Sequence, residues 1–71
     1  MMITGTIVRK REEGGYGFIK QDEEGAKDVF FHARTSMAEG VTFDDLHEGD
    51  KVTFEVKESE KGLQAVNVQP A

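Results

Sequence analysis

Apolar and polar residues alternate along most of this chain, the period-two signature of strands that bury one face. The clearest case is 50–57, where Val52, Phe54 and Val56 share one face and Lys51, Thr53, Glu55 and Lys57 the other. The run 3–8 is short and rich in β-branched residues, which favour extended backbone. Runs 16–20, 28–32 and 63–69 predict the second, third and fifth strands, with 50–57 as the fourth. Glu12–Glu13–Gly14–Gly15 and 58–62 predict turns, and 21–27 a polar loop. The segment 33–49 carries no strand pattern. Residues 33–39 predict a helical turn closed by Gly40, and Asp44, Asp45 and Leu46 begin a second turn ended by Gly49. Neither is long enough to persist alone, so a long structured loop is expected between the third and fourth strands.

Five short strands without a long helix predict a small all-β barrel, which also removes the exposed edges of a minimal sheet. Its inward set is expected to be Ile7, Ile19, Val29, Phe31, Val52, Phe54, Val56, Val66 and Val68. Periodicity does not separate an OB-type barrel from an SH3-like one. The chain has 71 residues, enough for a single domain spanning 1–71 and nothing larger.

Composition removes several classes of function. Without cysteine there is no disulfide, zinc-thiolate or cysteine-nucleophile chemistry. The longest uncharged stretch is too short to span a bilayer, and residues 1–8 lack the basic and apolar regions of a secretory signal. A cytoplasmic protein with no membrane association is expected. No HExxH, GxSxG or Walker-type glycine motif is present. The two histidines lack a third nitrogen or sulfur ligand, and the carboxylates fall in runs typical of solvated faces. The expectation is no enzyme, no metal and no cofactor.

The formal charge of −5 argues, at face value, against nucleic acid as a partner. The charge is unevenly spread. Residues 1–20 carry four basic and two acidic side chains, and residues 21–71 five basic and twelve acidic, balances of +2 and −7.

The basic run Arg9–Lys10–Arg11 adjoins Gly15–Tyr16–Gly17–Phe18–Ile19. If Ile19 is core, alternation puts Tyr16 and Phe18 outside, where paired aromatics form a stacking platform for bases. The inverse assignment, with Tyr16 and Phe18 as core, is the competing reading. In Val29–Phe30–Phe31–His32 the same alternation sets Phe30 and His32 against Val29 and Phe31, and Phe30 with His32 would extend the platform. Arg9, Lys10 and Arg11 can meet phosphates, or Arg9 can stack on a base, although Glu12 and Glu13 lie where a phosphate would pass. Lys61, in the last turn, is a further phosphate candidate.

These segments resemble the bacterial cold-shock protein family. Its two ribonucleoprotein motifs are similar to Gly15–Tyr16–Gly17–Phe18–Ile19 and Val29–Phe30–Phe31–His32, and Gly62–Leu63–Gln64–Ala65–Val66–Asn67–Val68 is similar to its last strand. The resemblance implies a five-stranded antiparallel OB-type barrel that binds single-stranded RNA or DNA. It implies base contacts at Tyr16, Phe18, Phe30, His32 and Phe43, and supports Lys61 as a basic contact. The chain departs from the family where an aromatic pair late in strand one is replaced by Arg9 and Lys10, and where Arg11, Gly14 and Ala33 replace an Asn, a Lys and a further aromatic. Weaker binding with a larger electrostatic share is therefore expected of a monomeric RNA chaperone or gene-expression regulator. The alternative is a protein-interaction module on the same barrel, with the aromatic face turned to a protein partner.

Overall fold

The computed structural model describes residues 2–60 and 62–71. Five strands, β1 (Ile3–Arg11), β2 (Tyr16–Gln21), β3 (Val29–His32), β4 (Lys51–Ser59) and β5 (Gly62–Pro70), close into a barrel in the order β1-β2-β3-β5-β4. The pairs β1–β2, β1–β4, β2–β3 and β4–β5 are antiparallel. The seam that closes the barrel is a short parallel contact of β3 with β5, where Phe30 stands opposite Gln64.

Seven of the nine residues expected inside are fully buried: Ile7, Ile19, Val29, Phe31, Val52, Phe54 and Val68. Val56 is only partly buried and packs against this cluster. Val66 is a correction to the sequence reading. It is half-buried, and Ala65 takes the inward place. The cause is a break in register. Thr53 pairs with Gln69 and Glu55 with Val66, so β5 spends an extra residue opposite Phe54. Asn67 supplies that bulge with a φ of 57°, a left-handed conformation that asparagine tolerates better than a branched residue would. Ala65 and Val68, three apart, thereby both face the core.

The segment after β3 forms turns rather than the helical turn expected over 33–39. Ser36 explains its course. Its hydroxyl is fully buried and accepts from the His32 amide (2.8 Å) and from Gln64 Nε2 (3.2 Å). Its carbonyl accepts from the Val68 amide at 2.8 Å, and Met37 bridges to Val68. These bonds satisfy backbone groups that a barrel seam with one strand pair would otherwise leave open. Further on, Phe43–Asp45 is a single 3-10 turn, after which Leu46 is fully buried in the core. No helix among the described residues is long and apolar enough to cross a membrane.

Candidate nucleic-acid interface

The outer face of β2 and β3 carries the expected aromatic residues. Because Ile19 and Phe31 point inward, Tyr16 and Phe18 on one strand and Phe30 and His32 on the next point outward. The inverse assignment, with Tyr16 and Phe18 as core, does not hold. Register sets Tyr16 opposite His32 and Phe18 opposite Phe30. The Tyr16 and Phe30 rings lie nearly parallel, with centroids 5.9 Å apart and planes 24° apart. Phe18 meets both rings edge-on, at 6.0 Å and 5.9 Å, and His32 flanks Phe30 at 6.4 Å. All four side chains are half-buried, each supporting the next while keeping surface for a ligand.

Gly17 makes this arrangement possible. A Cβ at this position would collide with the Arg9 carbonyl oxygen and come within 2.7 Å of the Phe31 ring. The absence of a side chain lets Phe31 fill the core directly beneath the platform. The His32 ring is held from its own loop, with Nδ1 accepting the Arg34 amide hydrogen at 3.1 Å. In the neutral ring this leaves the proton on Nε2, a donor.

The three basic residues of β1 are split between two faces. Ile7 pairs with Ile19 but Arg9 pairs with Phe18, so Val8 is an inserted residue and is 45% exposed. Beyond the bulge Arg9 and Arg11 share the face of Phe18 and Tyr16, their cross-strand neighbours. Among the described residues neither arginine forms an ion pair. Lys10 lies apart from them. It stands opposite Gly17, its side chain is 7% exposed, and its Nζ is 2.9 Å from Glu12 Oε1 and 4.6 Å from the Phe43 ring centroid. Phe43 is set against Phe31, with centroids 5.8 Å apart, and packs against the core rather than joining the four-ring platform. Lys61, also expected at the site, lies outside the described residues.

Two residues at the margin were not singled out from sequence. Gln64, opposite Phe30, spends its amide on Thr35 Oγ1 (2.9 Å) and Ser36 Oγ (3.2 Å). Leu63, 40% exposed, lines a cavity of about 300 Å³ with Phe18, Phe30, Ser59 and Gln64. The outward placement of Gln64 follows from its neighbour Ala65 facing in, which alternation along β5 alone left open. Leu63 is exposed near the start of β5, although alternation would set it on the side of Ala65.

The spacing of the rings says what the face can hold. Centroids about 6 Å apart exceed the roughly 3.4 Å rise per nucleotide of a stacked strand. Bases that sit on these rings must be pulled apart from one another, which a single strand permits and a paired helix resists.

A closed five-stranded barrel with an outward aromatic platform and flanking arginines defines a single-strand-binding module of the OB type. The comparisons with known proteins agree. The family described as "'Cold-shock' DNA-binding domain" matches residues 3–71, and the chain belongs to the cold-shock domain family, a class of nucleic-acid-binding proteins. It is 54% identical over 65 residues to the cold shock-like protein CspA of Shewanella violacea, covering 92% of this chain and 89% of that protein. It is 43% identical over 70 residues to the cold shock protein ScoF of Streptomyces coelicolor, covering 99% of this chain and all of that one. Among solved structures, drosophila Unr CSD456 superposes with a TM-score of 0.73 at 28% identity, covering all of this chain and 27% of that longer one.

Proposed function

We propose that the chain binds single-stranded RNA or DNA by stacking bases on Tyr16, Phe18, Phe30 and His32, with Arg9 and Arg11 meeting phosphates or a base plane, and that it performs no catalysis. The observation that carries this reading is the ring cluster itself, four outward aromatic side chains held in mutual contact across two paired strands. Such a surface exposes apolar area with no folding return, and every nucleobase has a face that can cover it. Because bound bases must be splayed, binding competes with RNA secondary structure. That is chaperone action driven by binding energy alone. The relatives named as cold shock proteins support the same role. Binding one strand on one face of a closed barrel requires no second copy, so the monomer is the working unit.

The test is a titration with a pyrimidine-rich heptanucleotide at low salt, followed by backbone amide shifts. Perturbations centred on Tyr16, Phe18, Phe30 and His32 are expected. An unperturbed spectrum at low salt would refute the reading and direct attention to a protein partner.

A further inference from the structure

Phe43 is the one aromatic implicated by the family resemblance that the structure sets away from the platform. Its surroundings are specific. The Lys10 ammonium sits over its ring at 4.6 Å, and its ring neighbour is the core residue Phe31 at 5.8 Å. The Lys10 side chain is almost wholly buried and its charge is paired with Glu12 at 2.9 Å. The Lys10 backbone is held as well, its amide donating to Glu48 Oε2 at 2.9 Å, in the same loop that carries Phe43. The turn bearing Phe43 is closed by its own bonds, Leu46 amide to Phe43 carbonyl at 3.2 Å and Thr42 amide to Asp45 Oδ2 at 3.3 Å. The β1 bulge and the 42–50 loop are thus joined through one residue.

A base arriving at Phe43 would have to displace that ammonium. The cation–ring contact it removes is of the same order as the stacking it gains, so the exchange yields little net affinity. We infer that Lys10 closes Phe43 to nucleic acid and so sets the length of strand this chain can hold. The bound strand then ends at the Tyr16 side of the platform and occupies about four nucleotides, the low end for a barrel of this type. Phe43 serves as an anchor of the loop against the core. The inference rests on the binding mode proposed above and deepens it by assigning its extent.

The experiment compares dissociation constants for a thymidine tetranucleotide and a thymidine heptanucleotide, each corrected for the number of binding registers. Wild type is expected to bind both within about twofold, and Phe43→Leu, which keeps an apolar anchor, is expected to leave that pair of values unchanged. Lys10→Ala uncovers the ring, and the heptanucleotide should then gain about fivefold or more over the tetranucleotide, the lower end of what one stacked base contributes. That gain should vanish in Lys10→Ala/Phe43→Leu. Reading the ratio of the two lengths cancels the general loss of one positive charge. In the free protein, the Lys10 side-chain protons should show upfield ring-current shifts that Phe43→Leu abolishes. A wild-type preference for the heptanucleotide that Phe43→Leu removes would overturn the inference while leaving the platform reading intact. Failure of both lengths to bind at low salt would overturn both.

Discussion

Arg9 stands directly opposite Phe18, although Ile7, two residues earlier, stands opposite Ile19. Two steps along β1 answer one step along β2. This single inserted residue, Val8, decides which of the three consecutive cations reaches the aromatic face. Had the alternation continued unbroken from buried Ile7, Arg9 and Arg11 would point inward and Lys10 outward. The bulge exchanges them. It places two arginines beside Phe18 and Tyr16, and tucks the lysine under Glu12 and over Phe43.

The first consequence concerns salt. Single-strand binding loses affinity with a slope of about 0.7 in log K per log salt for each phosphate neutralised. Arg9→Gln and Arg11→Gln are each expected to lower the slope by up to that amount, and Lys10→Gln to leave it unchanged. Titrations across a salt series check this. A slope reduced as much by Lys10→Gln as by Arg11→Gln would show that the buried ammonium reaches phosphate after all.

The platform should be separable from the fold. Phe18→Ala and Phe30→Ala each remove an outward ring, and each should cost about 1–3 kcal/mol of binding, the usual contribution of a base–aromatic stack. Their effect on thermal unfolding should be small beside that of a core truncation such as Phe54→Ala, expected at about 3–5 kcal/mol. Calorimetric titration paired with thermal melts distinguishes the two classes. Equal losses in both measurements would mean that the rings hold the barrel rather than the ligand.

Gly17→Ala tests the close approach beneath the platform. The added methyl has no free volume between the Arg9 carbonyl and the Phe31 ring. Relief requires backbone movement, at about 1–3 kcal/mol or somewhat more. For a domain this small each kcal/mol lowers Tm by about 4–8 °C. An unchanged melting temperature would show that β1 and β2 can separate locally without penalty.

Ser36→Ala should be costly for a residue with so small a side chain. The hydroxyl accepts from both the His32 amide and Gln64 Nε2 within a buried site, so its loss strands the His32 amide, while Gln64 Nε2 keeps its bond to Thr35 Oγ1. About 1–3 kcal/mol of stability is expected to go. Faster hydrogen exchange at the His32 amide should accompany it. Exchange at His32 as slow as in the wild type would show that another acceptor replaces the hydroxyl.

The grouping of the aromatic face is legible in the amino-acid sequence, and the burial of Ile19 and Phe31 decides that it points outward. Alternation in 16–20 and 28–32 separates Ile19 and Phe31 from Tyr16, Phe18, Phe30 and His32, because a strand has only two faces and one must be core. The same reasoning fails at Val66 and does not resolve the basic run, for one shared reason. A bulge shifts the phase of alternation by one residue, and neither Val8 nor Asn67 announces itself as inserted, since the insertion exists only relative to the partner strand. Leu46 and Ser36 escape sequence reasoning for a related reason. They lie in a loop with no periodicity, and their burial depends on where the barrel ends and seam fall.

The sequence by itself determined that five strands would bury one apolar face each and that Tyr16 groups with Phe18, and Phe30 with His32, because these follow from local period and composition. Burial of Ile19 and Phe31 in the folded barrel decided that these groups lie outside. Only the tertiary structure decided which cations share that outside face, that Phe43 would pack on the core beneath Lys10, and that the closing seam would be parallel. Those outcomes depend on register between strands distant in the chain. Register is set by the packing of the closed barrel as a whole rather than by any one segment.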